Sequence, residues 1–174
     1  MKSQMKSVIV LTAICAVMAL LMAVTNSITA PMIAENDQKE ANASLVVVMP
    51  DGKDFEEIEF ADLPATVTNV YKEASGGYVF RMVTTGYASG LTIMCGVDGS
   101  GPVTGATCVA SNETNGAEVT YGDKMVGVKL DTVSAVDTIA GSTKTTTGYK
   151  GAVEDALKAF AILGGASVDL RSEE

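Results

Sequence analysis

A cluster of hydroxyl side chains lies just ahead of a predicted helix near the C-terminus. Free backbone N–H groups and the positive end of the helix dipole make the start of a helix a good place to bind an anion. Lys144 and Lys150 add positive charge to a domain that is otherwise acidic. These residue types at this spacing predict a phosphate-binding site, formed by Gly141, Ser142, Thr143, Thr145, Thr146 and Thr147.

The same cluster has a plainer interpretation, in which one threonine caps the helix and the others are solvated turn residues. The residues alone favour that interpretation over a phosphate site. The chain has no His, so it lacks the commonest general base and the commonest neutral metal ligand. We therefore predict no catalytic residue and no metal site, and any redox chemistry would need a cofactor that does not depend on His.

Charge and cysteine content exclude further classes of function. The chain carries 12 Lys and Arg against 21 Asp and Glu, a net charge of -9. Such an acidic chain repels phosphate backbones, so nucleic-acid binding is discounted. The spacing of Cys15, Cys95 and Cys108 fits neither a CxxC pair nor an iron–sulfur ligand set. Cys95 and Cys108 fall on strands predicted to be neighbours, where a disulfide and a free pair are both open.

An uncharged apolar segment runs from Val8 to about Ile28, which reaches the length of roughly 20 residues that a membrane-spanning helix needs. A cleaved signal peptide is the main rival, but Pro31 directly follows the best small-residue cleavage position, Ala30. Two lysines precede the segment, and basic residues are retained on the cytoplasmic side of a membrane. We predict an uncleaved single-pass anchor in the cell membrane, with a cytoplasmic N-terminus and an extracytoplasmic domain.

From Thr66 the pattern changes, because β-branched or apolar residues alternate with polar ones as they do in strands. Residues 111–125 are predicted to form a loop and residues 126–139 a further extended segment. A helix follows, since apolar residues recur at helical spacing from Val153 to Ala161 and glycine ends the pattern. Four segments with strand-like alternation, separated by glycine-containing turns, predict an antiparallel meander: 66–74, 77–85, 91–97 and 102–110.

These elements predict an α+β fold, in which one N-terminal transmembrane helix precedes a small domain with a curved antiparallel sheet and at least one helix packed on one face. The predicted boundaries are 1–30 for the cytoplasmic tip and the anchor, 31–65 for a connector and 66–174 for the domain. The length of 174 residues leaves room for one such domain, since ordinary domains run roughly 100 to 200 residues.

The segment that begins at Asp137 resembles the flavinylation motif of the FMN-binding domain family. The family includes the G subunit of Rnf electron-transport complexes and the C subunit of the sodium-translocating NADH:quinone reductase, and its motif reads D-x-x-[S/T]-G-A-T. In that family the last threonine is joined to FMN through a phosphoester. The positions of the motif are occupied here by Asp137, Ala140, Gly141, Ser142 and Thr143.

The resemblance implies covalent FMN on Thr143, with Gly141, Ser142, Thr145 and Thr146 as the adjoining cofactor-binding residues. Asp137 would help to present the motif to a flavin transferase. Tyr78, Phe80 and Tyr87 are interpreted as packing residues rather than as residues that stack on the flavin.

The sequence departs from the family's pattern in two places. Within the motif, Ala140 stands where Ser or Thr is usual, and Ser142 stands where Ala is usual. The resemblance also covers Glu113-Thr114, which the family commonly continues with Pro-Gly-Leu-Gly. Here residues 115–118 read Asn-Gly-Ala-Glu, so the loop expected near the flavin is altered.

In function, the resemblance implies a membrane-bound electron-transfer flavoprotein of an Rnf-type complex, a translocase that couples ferredoxin and NAD to ion movement. Its partners would be the other membrane subunits, and it would not be catalytic alone, because the flavin carries the electrons. Two alternatives stay open. One is the C subunit of a sodium-translocating NADH:quinone reductase, whose members are generally longer, and the other is a membrane-anchored structural or adhesion module without a cofactor.

Overall fold

A long helix, α1, occupies Lys2–Val48 of the computed structural model, which describes residues 2–164. Its segment Val8–Ser27 is long and apolar enough to cross a membrane, and the side chains of this segment are exposed. This agrees with the segment that the sequence predicts as an anchor. The chain divides into two compact units, the first ending at Glu40 and the second beginning at Ala41.

The second unit contains one five-stranded sheet in which every neighbouring pair of strands is antiparallel and the spatial order follows the chain. This confirms the predicted meander and the α+β class. The central strands are apolar on both faces, and every residue from Leu91 to Val97 is buried. The strands are β1 Glu56–Ile58, β2 Val67–Lys72, β3 Tyr78–Thr85, β4 Ser89–Val97 and β5 Val103–Ala110.

Two helices follow the sheet, α2 at Ala117–Tyr121 and α3 at Thr143–Ile162, with short 3₁₀ turns at Gly122–Met125 and Val133–Ala135. The prediction of a loop over 111–125 is therefore wrong where α2 and the first 3₁₀ turn form. The prediction of an extended segment over 126–139 is also wrong. The segment forms turns instead, from which Val133 is buried in the core, whereas Val126 is exposed.

The sheet is covered on both faces, whereas the sequence predicted a helix on one face. Helix α3 packs through Val153, Leu157 and Phe160 against the face that carries Phe80 and Cys95. The end of α1 covers the other face, where Leu45, Val48 and Met49 cluster with Tyr71, Val79 and Met94. Because successive strand residues point to opposite faces, neighbouring positions such as 79 and 80 enter different cores.

Two glycines allow the end of α1 to lie directly on the strands. Gly96 and Gly105 pair across β4 and β5, and a Cβ on either would come within 2.7 or 2.8 Å of the Val48 carbonyl oxygen. The same oxygen accepts a hydrogen bond of 2.6 Å from the Thr104 hydroxyl. A glycine inside a strand often marks such a close approach of another backbone.

Candidate functional site

The hydroxyl cluster forms the first turn of α3 rather than a loop in front of it. Ser142 is the N-cap residue, and its carbonyl accepts the Thr146 N–H at 3.0 Å. Thr143 is the first helical residue and is exposed, as is Lys144. By contrast, Thr145 is 4% exposed and Thr146 is fully buried.

The two buried hydroxyls have protein partners. Thr146 Oγ1 donates to the Ser142 carbonyl at 3.0 Å, and the Ile139 N–H lies 3.3 Å from the same hydroxyl oxygen. Thr145 Oγ1 donates to Glu113 Oε2 at 2.5 Å. Both hydroxyls therefore stabilise the start of α3.

Glu113 connects three parts of the chain. Besides the Thr145 hydroxyl, its carboxylate accepts the backbone N–H groups of Tyr87 at 3.2 Å and Ala88 at 3.0 Å, which belong to the turn between β3 and β4. A lone carboxylate in a loop is usually solvated, so local sequence does not reveal this role. The resemblance of Glu113-Thr114 to the family was the available signal.

Helix α3 reaches Glu113 because two glycines permit close packing. A Cβ on Gly148 would lie 2.5 Å from the Thr85 carbonyl oxygen and 3.2 Å from the Gly86 Cα. On the other side, a Cβ on Gly86 would lie 3.0 Å from the Thr145 Cα. The second turn of α3 thus rests on the end of β3, which brings the first turn beside the β3–β4 turn.

The loop after Glu113 holds the segment before Thr143. Asn115 Nδ2 lies 3.1 Å from the Gly141 carbonyl oxygen and 3.3 Å from Ser142 Oγ. Gly141 has φ +83°, and Gly116 beside Asn115 has φ +66°. L-residues with side chains rarely adopt these angles, so glycine suits both positions.

These segments surround a cavity of about 460 Å³. Ligand pockets in proteins commonly measure roughly 300 to 1,000 Å³. Tyr87 contributes a ring that is 69% exposed, with Lys144 Nζ 5.9 Å from the ring centroid. The lining consists of Tyr87, Glu113, Thr114, Asn115, Gly141, Ser142, Thr143, Lys144 and Thr145.

Three residues that the sequence associates with the site, Lys150, Asp137 and Ala140, are not part of the cavity lining. Lys150 Nζ donates to the Ser134 carbonyl at 3.2 Å and to the Val136 carbonyl at 3.3 Å, which corrects the expectation that it adds charge at the cluster. Asp137 and Ala140 are exposed, and the Asp137 carbonyl accepts the Tyr121 hydroxyl at 3.2 Å.

The aromatic residues divide between the core and the cavity. Tyr78 and Phe80 are buried, which confirms their interpretation as packing residues. Tyr87 is different, since its exposed ring forms part of the cavity wall.

The two cysteines of the sheet lie on adjacent strands and are both free. The register pairs Cys95 with Ala106 and Cys108 with Ile93, so the two are not directly opposite each other. Burial raises the pKa of the Cys95 thiol to about 12. Burial also raises the pKa of Cys108, and the nearby Glu118 carboxylate raises it further.

Comparisons with known proteins define the class to which this site belongs. Residues 86–158, which contain all the lining residues of this cavity and α3 up to Lys158, match the model of the FMN-binding domain. Residues 1–48 match the model of the RnfG N-terminal region, which ends at the residue where α1 ends. Together these matches support an RnfG-type FMN-binding protein.

A curated relative has a similar sequence. The chain is 31% identical over 139 residues to the G subunit of the Na(+)-translocating ferredoxin:NAD(+) oxidoreductase complex of Acetobacterium woodii. The alignment covers 71% of this chain and 65% of the relative.

The residues of the cavity are chemically suited to an FMN group. The N–H groups of Thr143, Lys144 and Thr145 precede the first hydrogen bond within α3, and the first N–H groups of a helix have no acceptor inside it. They therefore suit a phosphate, and the Lys144 ammonium adds positive charge beside them. The exposed Tyr87 ring offers a flat apolar face to a planar ring system.

Proposed function

We propose that this chain is the flavin-carrying electron-transfer subunit of an Rnf-type complex, with FMN joined through its phosphate to the Thr143 hydroxyl. The observation that carries the proposal is the difference between the motif threonines. Thr143 is exposed at the cavity, whereas Thr145 and Thr146 are buried and donate to protein acceptors. Among these three, Thr143 is the hydroxyl that a flavin transferase can reach.

The chain's own residues hold and orient the group. The N–H groups at the start of α3 and the Lys144 ammonium stabilise the negative charge of the phosphodiester. The Tyr87 ring forms one wall for the isoalloxazine, and Glu113 fixes the turn that carries Tyr87. When bound, the flavin supplies electron transfer, and the protein supplies tethering, orientation and electrostatics.

The anchor and the charge distribution support a membrane-bound complex. The apolar part of α1 is preceded by Lys2 and Lys6 and followed by acidic residues, so we infer a cytoplasmic N-terminus and an extracytoplasmic domain. The partners would be the other membrane subunits of the complex and, during maturation, a flavin transferase. The similarity to the G subunit of an Rnf complex favours this assignment over the quinone-reductase C subunit and over a structural module without a cofactor.

The test is to produce the full chain together with a flavin transferase and to locate covalent flavin by mass spectrometry. We expect an FMN-sized mass on the peptide that contains Thr143 and a flavin-fluorescent band in denaturing gels. Thr143→Ala should abolish both signals and should change the free energy of unfolding by at most about 1 kcal/mol, the value of a helix cap. Thr147→Ala is the matched control, because Thr147 is an exposed threonine of the same turn.

Two outcomes contradict the proposal in different ways. Covalent flavin that persists in Thr143→Ala would show that the acceptor is assigned wrongly. If the unmodified sequence acquires no flavin under conditions in which a known substrate of the transferase does, the electron-transfer proposal is wrong.

A further inference from the structure

Asn115 bridges the two sides of the cavity at the place where this chain departs from the family's usual loop sequence. One nitrogen, Nδ2, lies within hydrogen-bonding distance of both the Gly141 carbonyl oxygen, at 3.1 Å, and Ser142 Oγ, at 3.3 Å. These acceptors belong to the two residues directly before Thr143. The Asn115 side chain therefore holds the backbone from which the acceptor threonine projects.

Two such connections border the cavity. Glu113 and Thr145 join the two sides at one point, and Asn115 joins the same two sides through Gly141 and Ser142. Thr143 lies between Ser142 and Thr145 in the chain and lines the cavity that both connections border. A group attached to Thr143 is therefore joined to a backbone segment that is hydrogen-bonded on both sides of the attachment residue, at Ser142 and at Thr145.

The chemistry of the side chain suits this bridge. A carboxamide has two N–H donors, and both acceptors here are oxygens without a formal charge. An ionised Asp at position 115 is an acceptor only, so it would repel the Gly141 carbonyl oxygen. An Ala at this position would remove both contacts of the Asn115 side chain with the Gly141 segment.

We propose that Asn115 is a positioning residue for the flavin: it fixes the segment before Thr143 and so confines the tethered isoalloxazine to the cavity beside Tyr87. This inference rests on the proposed attachment of FMN to Thr143. Attachment itself does not require the bridge, because the transferase acts on the exposed Thr143 hydroxyl. Loss of the bridge should therefore leave the flavin bound and less confined.

The experiment compares Asn115→Ala and Asn115→Asp with Asn112→Ala in the detergent-solubilised, flavin-loaded full chain. Asn112 is the matched control, because it lies in the same loop and donates from its own Nδ2 to a different carbonyl, that of Ser89, at 3.1 Å. Covalent flavin is quantified in denaturing gels. The steady-state anisotropy of the flavin fluorescence and the midpoint potential of the flavin are measured in the native state.

We expect both Asn115 variants to carry covalent flavin at the level of the unmodified chain, with a lower flavin anisotropy and a shifted midpoint potential. Asn112→Ala should retain the original values of both. Without flavin, amide hydrogen exchange at Ser142, whose N–H donates to the Ile139 carbonyl at 3.0 Å, should become faster by about fivefold in Asn115→Ala, the factor expected when one net hydrogen bond is lost. Far-UV circular dichroism and the thermal midpoint establish that each variant is folded.

The outcomes separate this inference from the proposed function. If the unmodified chain carries flavin and Asn115→Ala keeps its anisotropy and its potential, the positioning role is wrong and the attachment stands. If anisotropy and potential change equally in Asn112→Ala, the effect belongs to the loop as a whole and the assignment to Asn115 is wrong. If no chain carries flavin, the attachment to Thr143 fails, and unchanged exchange at Ser142 would refute the bridge as well.

Discussion

The Thr145 hydroxyl donates to the Glu113 carboxylate across 2.5 Å, although 32 residues separate the two in the chain. Through Glu113 the first turn of α3 is connected to the backbone of Tyr87 and Ala88. One carboxylate therefore joins the two sides of the cavity, the first turn of α3 and the turn that carries Tyr87. The integrity of this site depends on a side chain that need not contact the cofactor.

Glu113→Gln tests this connection. Oε2 accepts from the Thr145 hydroxyl and the Tyr87 N–H, and Oε1 accepts from the Ala88 N–H. The amide keeps one acceptor oxygen and replaces the other with a donor, so in either orientation at least one of these three hydrogen bonds is lost. We expect the free energy of unfolding to fall by about 1 to 3 kcal/mol, as for loss of a hydrogen bond to a charged group. Urea denaturation of the full chain in detergent measures the change.

The control for this prediction is Glu154→Gln. Glu154 is an exposed partner of Lys158 one turn along α3, at 2.8 Å, and surface ion pairs contribute little. It should change stability by less than about 0.5 kcal/mol. Equal effects of the two substitutions would show that Glu113 acts only through its charge.

Gly148→Ala tests the close packing of α3 on the end of β3. The added Cβ would lie 2.5 Å from the Thr85 carbonyl oxygen, and neither backbone can move without shifting an element. We expect a loss of about 1 to 3 kcal/mol in unfolding free energy, typical of overpacking. Gly151→Ala, on the same helix with nothing near its added Cβ, should stabilise the chain by roughly 0.5 to 1 kcal/mol. Denaturant unfolding that ranked the two variants in the opposite order would contradict the packing described.

Val48→Asp tests whether the end of α1 belongs to the core of the sheet. Val48 is fully buried, and an aspartate there would place an unpaired charge among Tyr71, Val79 and Met94. We expect destabilisation by more than about 3 kcal/mol, or failure to fold. Val47→Asp is the matched control, because Val47 is 63% exposed. Limited proteolysis should cleave the first variant quickly and leave the second intact, and equal resistance would contradict the assignment.

Cys95 predicts a dependence of stability on alkaline pH. Burial raises the pKa of its thiol to about 12, whereas an unfolded cysteine has a pKa of about 8.5. The unfolded chain therefore loses this proton first as pH rises. The stability that the neutral thiol contributes is complete below pH about 8.5 and is lost progressively from there toward 12.

The measurement is the unfolding free energy of the unmodified chain and of Cys95→Ala at pH about 8.5 and about 9.5, which brackets the start of this loss. The unmodified chain should lose about 1 kcal/mol more than the variant across this interval. The tyrosines whose pKa burial raises are common to both proteins, so they cancel in the difference. Parallel pH profiles would contradict the burial of a protonated thiol at this position.

The membrane topology is tested with intact spheroplasts. External protease should digest the domain that follows α1 and spare a tag placed ahead of Lys2, because the basic N-terminus is retained in the cytoplasm. N-terminal sequencing gives an independent readout. A mature chain that begins after Ala30 would contradict the uncleaved anchor. A domain that external protease does not digest would contradict the proposed extracytoplasmic location.

Long regular elements were predictable because their patterns are local. Alternation of apolar and polar residues indicated the four strands from residue 66 onward, and helical spacing from Val153 indicated the body of α3. The start of α3 was placed too late, because the threonines of its first turn favour helix weakly. Their helical conformation is stabilised by contacts of Thr145 and Thr146 with distant or backbone acceptors.

The segment 111–139 shows where local patterns fail. Val128 and Val133 are β-branched and suggest a strand, yet the backbone forms turns. Its pairing with β5 is confined to Val103, whose N–H donates to the Val128 carbonyl at 2.9 Å and whose carbonyl accepts the Gly127 N–H at 2.8 Å. Burial of Val133 against the core stabilises the turns. Intrinsic strand preference amounts to less than about 1 kcal/mol and is readily overridden by packing.

The sequence by itself determined the apolar segment, the four long strands and the body of α3, because hydrophobic periodicity is a property of adjacent residues, and the spacing from Asp137 to Thr143 that predicts an acceptor threonine is equally local. Tertiary structure decided which distant residues complete the cavity. Tyr87, Glu113 and Asn115 lie far from Thr143 in the chain and line the same cavity. Hydrogen bonds to Thr145 and Gly141 and close glycine contacts hold them there. Such contacts depend on the packing of α3 on the sheet. Local sequence patterns do not specify them, because they form between residues that come together only when the chain folds.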